Sequence, residues 1–199
     1  MVRIPGRRPT KTLWIFCEGK TEKAYLDNVR CIERIRRLTI IPRVLEHRNA
    51  DGILDDAIRF KNNKKDFQKG DLIACIFDRD SNTNDQLTYA KSKADREGIQ
   101  ISFSNPCFEY WILCHYDYIP GPIEKDNIIS LINKKSGSEY EKADSELYTK
   151  TKDKIVTAHI NAERIKNKHL NNKTTLISRE SNPITLVFEL IKIIDDFKN

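Results

Sequence analysis

The chain has 199 residues, and 39% of them are hydrophobic, which is enough for one sizeable core in a single globular unit. Its formal net charge is +6 and its isoelectric point is about 9.0, which favours a polyanionic partner. No apolar run approaches the ~20 residues of a membrane-spanning helix, and residues 1–12 lack the apolar stretch of a secretory signal, so we expect a cytoplasmic protein without a membrane partner.

Strand-like and helix-like segments alternate through the first half of the chain, which is typical of parallel strands joined by crossover helices. The first apolar run, residues 13–17, predicts a buried strand that ends at Glu18 and turns at Gly19. The segments that follow are a helix over 21–37 with Thr21 as its N-cap, a strand over 39–45, a helix over 50–62, a strand over 72–77, a helix over 83–97 that ends at Gly98, and a strand over 99–103. This order predicts an α/β fold with a parallel four-stranded sheet flanked by helices.

The second half of the chain is mostly helical in pattern. Pro106 suits the first turn of a helix that continues to His115. Further helices are predicted over 123–133, over 151–168 and from Pro183 onwards, with a polar loop over 134–144. We therefore divide the chain into a core, residues 1–117, and a C-terminal helical extension, residues 118–199, packed on the core in the same globular unit.

Acidic residues follow two of the predicted buried strands. They lie in the motifs CEGKTE at 17–22, IFDRD at 76–80 and, further on, SNPCFE at 104–109. Because the carboxyl ends of parallel strands open onto one crevice, we expect Glu18, Asp78 and Asp80 to converge there. Mg²⁺ prefers oxygen ligands and takes only one or two protein carboxylates besides water and phosphate oxygens. The three acids therefore predict a divalent-metal site.

Each acid also has a simpler interpretation. Asp78 and Asp80 taken alone are typical of a surface loop, and only their pairing with Glu18 at a second strand end favours a metal site. Glu109 is balanced between a structural role in the first turn of its helix and a fourth metal or water ligand. Glu22, four residues after Glu18, is interpreted as favouring the start of its helix, with a place in the site as the alternative.

Several other polar residues flank these acids. Lys20 and Arg79 are candidates to neutralise phosphate, or else to pair with a neighbouring carboxylate. Asn105 is expected to stabilise its turn, with phosphate binding as the alternative. His115 is expected to be packed or exposed rather than a catalytic base. The cysteines, 5 in number and mostly within apolar runs, predict buried thiols rather than disulfides or a zinc site.

Basic residues are concentrated in four clusters. They are Arg3, Arg7, Arg8 and Lys11; Arg34, Arg36, Arg37, Arg43 and Arg48; Arg59, Lys61, Lys64, Lys65 and Lys69; and Lys166, Lys168 and Lys173. Cations around a metal-binding centre suit a nucleic-acid backbone, so we expect at least one cluster to contact phosphates. Arg7 and Arg8 are the residues predicted to do so.

These motifs resemble known families. An apolar strand ending in Glu-Gly, followed by one ending in Asp-x-Asp, resembles the TOPRIM domain of primases, type IA and II topoisomerases and OLD-type nucleases. More closely, the chain is similar to the RloB-like family in its CEGKTE opening, its FDRD centre, its SNPCFE-W-L-H segment at 104–115 and its NP-T element at 182–185. The resemblance covers nearly the whole chain except residues 134–173.

The resemblance implies a TOPRIM-like, Rossmann-like core in which Glu18, Asp78 and Asp80 hold Mg²⁺ or Mn²⁺ and, with Glu109, carry catalysis. It implies a metal-dependent nuclease that hydrolyses DNA or RNA in bacterial phage defence by abortive infection, with an ATPase or restriction-system protein as a possible partner. The alternative is a non-catalytic nucleic-acid-binding or partner-docking module. Topoisomerase-like strand transfer is disfavoured, because the sequence shows no second domain to provide a nucleophilic tyrosine.

Overall fold

The computed structural model describes residues 11–44, 49–63, 65–80 and 82–198. Arg7 and Arg8, the predicted nucleic-acid contacts, therefore lie outside the described residues, as do Arg3, Arg48 and Lys64 of the basic clusters. Within the described ranges, no helix is both long enough and apolar enough to cross a lipid bilayer.

The centre of the structure is a five-stranded sheet with the strand order β2-β1-β3-β4-β5. Its strands are β1 (Lys11–Cys17), β2 (Leu38–Val44), β3 (Leu72–Asp78), β4 (Gln100–Asn105) and β5 (Ile184–Thr185). The first four strands are parallel, as predicted, but β5 pairs antiparallel with β4. The prediction of four strands therefore missed β5. A strand of only two residues is too short to show the alternation of apolar and polar residues by which strands are recognised in a sequence.

Helices flank this sheet. They are α1 (Lys20–Glu33), α2 (Ala50–Lys61), α3 (Asn84–Glu97), α4 (Glu109–Cys114), α5 (Lys125–Ser136), α6 (Leu147–Thr151), α7 (Ile155–Asn171) and α8 (Val187–Asp195). In the strand order β2-β1-β3-β4, the connection from β1 to β2 moves towards the β2 edge of the sheet. The connections from β2 to β3 and from β3 to β4 move in the opposite direction. Right-handed crossovers therefore place α1 on one face and α2 and α3 on the other, in agreement with the packing of α2 against α3 and of α1 against α6.

The central strands are buried on both faces. Residues 13–17 of β1 and 73–78 of β3 are all buried, as expected of apolar runs in a parallel sheet that is covered on both sides. The carboxyl ends of these two strands are adjacent, since Cys17 pairs with Ile76. The chain must leave the sheet there, so the residues after each strand meet at one edge.

The helix ends agree with the sequence prediction for α3 but differ from it at both ends of α1. Gly98 adopts the left-handed conformation (φ 63°) at the end of α3, as predicted, and Thr83 caps the start of that helix. The N-cap of α1 is Gly19 rather than Thr21, because the chain turns into the helix directly after β1. This helix also ends at Glu33, earlier than predicted, with Arg34 in the left-handed conformation (φ 45°).

The segment after β4 differs from its prediction. The helix expected from Pro106 begins at Glu109, and residues 106–108 form the turn that connects β4 to α4. The peptide bond between Asn105 and Pro106 is cis. Glu109 nevertheless lies in the first turn of its helix, as the sequence indicated.

The C-terminal extension is more closely joined to the core than its helical pattern indicated. The helix predicted over 151–168 is two helices, α6 and α7, joined by a 3₁₀ turn at Lys152–Lys154. The last helix, α8, begins at Val187, because the residues after Pro183 first form β5. The extension thus adds a strand to the sheet, and α7 packs against α4 and β5.

Asn105 connects β4 to the extension. Its side chain is completely buried, and its Nδ2 donates to the carbonyl oxygens of Ser178 (3.1 Å) and Arg179 (3.2 Å). This buried position agrees with a structural role for Asn105, and its alternative role as a nucleic-acid contact stays a prediction.

Replacing Asn105 with Ala is expected to lower the free energy of unfolding by about 1–3 kcal/mol, because two buried carbonyl groups lose their donor. Urea denaturation of the wild type and the variant measures this change. The matched control is Asn127→Ala on the exposed face of α5, which should leave stability within about 0.5 kcal/mol of the wild type. Equal stability of the Asn105 variant and the control would contradict the proposed structural role.

Candidate active site

A cleft of about 570 Å³ opens where β1 and β3 end. We call it the acidic cleft; its lining residues are Glu18, Gly19, Lys20, Thr21, Glu22, Val44, Asp78, Asp80, Phe108, Glu109, Lys125 and Lys142. All four predicted catalytic acids contribute to this lining. Among these acids, Glu18 and Glu109 are 91 positions apart in the sequence (109 − 18) and are thereby brought to one cavity.

Glu18 is held against the end of β3. Its backbone N–H donates to the carbonyl oxygen of Ile76 (3.0 Å), and its Oε2 accepts a hydrogen bond from the backbone N–H of Asp78 (2.8 Å). Burial raises the pKa of Glu18 to about 7; the Asp78 amide opposes this rise, and the charges of Asp80 and Glu22 add to it. The carboxyl group is therefore fixed in place and close to its protonation midpoint at neutral pH.

Asp78 is the most deeply placed of the strand-end acids. It ends β3 with only 8% of its surface exposed. Burial raises its pKa well above the ordinary value, and the negative charges of Glu22, Glu18 and Glu109 raise it further. The ionised form of Asp78 is thus unfavourable unless a cation compensates it.

Asp80 lies at the exposed end of the same turn. Its φ of 28° is positive, which is uncommon for a residue other than glycine. The turn is closed by a hydrogen bond from the Asn82 N–H to the Arg79 carbonyl oxygen (2.9 Å). Such backbone strain often accompanies functional sites, and here it accompanies an acid at the mouth of the acidic cleft.

Glu22 belongs to the acidic cleft, although the sequence favoured a role only at the helix start. It lies in the first turn of α1 with 4% of its surface exposed. Burial raises its pKa to about 7, and the charges of Glu109 and Asp80 raise it further, while Lys125 lowers it. The spacing of Glu22 four residues after Glu18 was a signal for this arrangement, but the same spacing is also typical of an ordinary helix start.

Gly19 provides the space that Glu22 occupies. A Cβ atom at position 19 would lie 2.6 Å from Oε2 of Glu22, closer than real Cβ contacts. The φ of Gly19 is −128°, so glycine is not needed for backbone conformation. It is needed because the carboxylate of Glu22 approaches the backbone at this point.

Glu109 enters the cleft from α4. It is 4% exposed, and its Oε1 accepts a long hydrogen bond from the hydroxyl of Tyr140 (3.4 Å). Tyr140 belongs to the C-terminal extension, so the extension helps to orient an acid of the core. The position of Glu109 among the other acids favours the ligand interpretation over a purely structural one.

Three lysines line the acidic cleft, namely Lys20, Lys125 and Lys142. Within the described ranges, none of them lies within 4.0 Å of a carboxylate oxygen. Burial would lower the pKa of Lys125, but the carboxylates around it, Glu109, Asp80 and Asp78, contribute to raising it overall. The sequence analysis missed Lys125 and Lys142, because the extension carries no motif that marks them.

The donor set fits a divalent metal by its chemistry. Carboxylates that raise one another's pKa create negative charge that a bound cation would relieve, and Mg²⁺ and Mn²⁺ favour such oxygen ligands. In the part of the chain that the structure describes, no three His, Cys, Asp or Glu side chains are already arranged to hold a metal. Oε2 of Glu18 accepts the hydrogen bond from the Asp78 amide, and Asp80 is exposed.

His115 is a packed residue, as expected. It is 1% exposed, and its Nδ1 lies 3.0 Å from the carbonyl oxygen of Trp111. Burial lowers its pKa to about 4, so the imidazole is neutral at physiological pH. His115 does not line the acidic cleft.

Comparison with known proteins gives one family. A family model described as RloB-like protein matches residues 13–194, which is most of the chain. Neither the curated proteins nor the solved structures gave a match. The matched range contains every residue of the acidic cleft and also the extension that contributes Lys125 and Lys142.

Replacing Gly19 with Ala should displace the carboxylate of Glu22 while leaving the fold intact, because the clash falls on the end of a flexible side chain. We expect Mn²⁺ affinity to fall about tenfold, measured by isothermal titration calorimetry. Gly121→Ala is the matched control, since a Cβ there meets nothing within 4 Å, and it should bind Mn²⁺ as the wild type does. Unchanged affinity in the Gly19 variant would show that the position of Glu22 does not affect metal binding.

The metal-free protein should lose stability as the pH rises from about 4.5 to about 7. Glu18 and Glu22 have an ordinary pKa of 4.5 but titrate at about 7 in the folded state, so the unfolded chain loses its protons first over this range. Their stabilising contribution is complete below pH 4.5 and is lost as the pH passes through 7. Melting temperatures in EDTA across this range measure the slope.

Glu22→Gln should reduce this slope and should melt at a higher temperature than the wild type at pH 8, because an amide cannot ionise. Glu139→Gln, at an exposed position outside the cleft, is the control and should reproduce the wild-type slope. Identical slopes for all three proteins would mean that Glu22 is not destabilised by ionisation in the folded state.

Proposed function

The chain belongs to the RloB-like family, and we propose that it is a metal-dependent nuclease that hydrolyses phosphodiester bonds of DNA or RNA in bacterial defence. The observation that carries this proposal is the acidic cleft, in which buried carboxylates from two strand ends face lysines without carboxylate partners. The clustered carboxylates would be stabilised by a bound metal ion, and the neighbouring lysines would be stabilised by a bound phosphate. The cleft therefore suits the joint binding of both.

The strand-end acids are assigned to the metal. Glu18, Asp78 and Asp80 would hold Mg²⁺ or Mn²⁺, and Glu22 is added to this set because its pKa is raised by burial, like those of Glu18 and Asp78. When bound, such an ion polarises the phosphoryl oxygen and stabilises the charge that develops on it. Without it, the clustered negative charge would repel a nucleic-acid backbone.

Glu109 is assigned to the attacking water. Tyr140 donates to its Oε1, and Oε2 is the oxygen assigned to accept a proton. In hydrolysis the water oxygen bonds to phosphorus, one water proton passes to Oε2 of Glu109, and the phosphorus–oxygen bond to the leaving sugar breaks. The sugar oxygen that leaves then takes a proton from solvent and becomes a hydroxyl group.

The lysines of the cleft are assigned to the phosphate. Lys125 lies among Asp78, Asp80 and Glu109, and its raised pKa keeps it charged. Lys20 and Lys142 line the same cavity and add positive charge at its mouth. A charged donor that is held near the reacting phosphate stabilises the transition state more than one that must move into place.

A TOPRIM-like core is part of the proposal. It is supported by the parallel strands β2-β1-β3-β4 and by the acids that follow β1 and β3. The defence role and an ATPase or restriction-system partner are carried over from the family resemblance as predictions. The basic net charge of +6 supports a nucleic-acid partner.

Replacing Asp78 with Asn should lower cleavage at least about a hundredfold, because a buried member of the assigned metal-binding group loses its charge. Mixed tRNA, single-stranded DNA and plasmid DNA are incubated with the wild type in Mg²⁺, Mn²⁺ or EDTA, and the products are separated on denaturing gels. Cutting by the wild type that needs the metal and is lost in the variant supports the proposal and identifies the substrate class.

Asp153→Asn is the matched control, because Asp153 is exposed and does not line the acidic cleft. It should cleave as the wild type does. Full activity of Asp78→Asn would overturn the assigned site. Metal-independent binding of nucleic acid without cleavage by the wild type would instead favour the non-catalytic binding module.

A further inference from the structure

A second, smaller cleft adjoins the acidic cleft. It has a volume of about 300 Å³ and is lined by Arg79, Asp80, Pro106, Glu124 and Lys125. We call it the Arg79 cleft. Asp80 and Lys125 line both cavities, so the two clefts open side by side with these two side chains between them.

The backbone of Arg79 is fixed at the edge of the sheet. Its N–H donates to the carbonyl oxygen of Ser104 (2.8 Å), and its own carbonyl oxygen accepts from Asn82 (2.9 Å). Arg79 also lies between Asp78 and Asp80 in the sequence. Its side chain therefore starts from a rigid position next to the assigned metal ligands.

The guanidinium of Arg79 has no hydrogen-bond or ion-pair partner among the residues that the structure describes. Its Nε is buried and makes no hydrogen bond, and within the described ranges no carboxylate oxygen lies within 4.0 Å of its nitrogen atoms. A buried donor without an acceptor costs about 1–3 kcal/mol, and more when the group is charged. Asp80 and Glu124 line the same cleft but do not satisfy it.

A phosphate group would satisfy this donor set. The guanidinium offers a planar fork of donors that matches two oxygens of one phosphate, and Lys125 supplies a second cation on the shared wall. In a nucleic acid every nucleotide carries a phosphate, so neighbouring phosphates enter neighbouring clefts when one strand lies across both. Pro106 adds an apolar surface at the same place.

We propose that the Arg79 cleft binds the phosphate next to the one that is cleaved in the acidic cleft. This inference rests on the proposed nuclease function and deepens it by naming the substrate class. The enzyme then acts on polynucleotides with at least two consecutive phosphates, and a compound with a single phosphodiester occupies only half of the site.

The test compares short thymidine and uridine oligomers that differ by one phosphate charge. Their affinities are measured by competition against a fluorescein-labelled oligonucleotide, in Ca²⁺ so that binding is observed separately from cleavage. The set contains dinucleotides with one phosphate, trinucleotides with two, and trinucleotides in which either linkage is an uncharged methylphosphonate. The last compounds separate the effect of charge from that of the added nucleoside.

For the wild type we expect the second phosphate charge to increase affinity about tenfold. In Arg79→Gln this increase should disappear, so that the trinucleotide and its methylphosphonate analogue bind equally. Arg79→Lys should restore part of the increase, because it keeps the charge without the fork. Lys134→Gln, at an exposed position outside both clefts, should keep the full increase.

The experiment distinguishes a failure of the Arg79 subsite from a failure of the proposed nuclease function. If the wild type binds and cleaves oligonucleotides but Arg79→Gln keeps the increase from the second phosphate, the Arg79 subsite is wrong and the nuclease assignment stands. If the wild type neither binds nor cleaves any of these compounds or the longer nucleic acids, both are wrong. The melting temperature of Arg79→Gln should match the wild type, because the lost side chain makes no hydrogen bond within the fold.

Discussion

The structure depends on the burial of several carboxyl groups at the point where two parallel strands end. Glu18 and Asp78 follow adjacent strands, and Glu22 and Glu109 join them from the first turns of two helices. Burial and mutual repulsion raise the pKa of Glu18, Glu22 and Asp78 together. A fold selected for stability alone would replace such a group with apolar side chains, so the cost indicates a function that needs negative charge here.

The C-terminal extension completes this arrangement. It supplies Lys125 and Lys142 to the acidic cleft, and Tyr140 to the carboxylate of Glu109. It is held in place by β5, which pairs with β4, and by Asn105, which connects β4 to the segment before β5. The core alone would present acids with less compensating charge. Core and extension therefore share one sheet and together line the acidic cleft.

The acidic cleft and the Arg79 cleft carry different charged groups. The acidic cleft gathers the carboxylates that suit a metal ion, and the Arg79 cleft holds a guanidinium that no described carboxylate neutralises. Asp80 and Lys125 stand between the clefts. Carboxylates and cations line both clefts, and within the described ranges they form no ion pairs with one another. This arrangement suits a ligand that itself combines cation and anion, as a metal-bound polynucleotide does.

The sequence by itself determined the four parallel strands and the acids that follow β1 and β3, because uninterrupted apolar runs mark strands buried on both faces. It also marked Glu109 and the family motifs. Only the tertiary structure decided that Glu22 faces the cleft, that Asn105 is buried, and that Lys125, Lys142 and β5 come from the extension to complete the core. These features depend on contacts between segments distant along the chain, and no local pattern of hydrophobicity or spacing records such contacts.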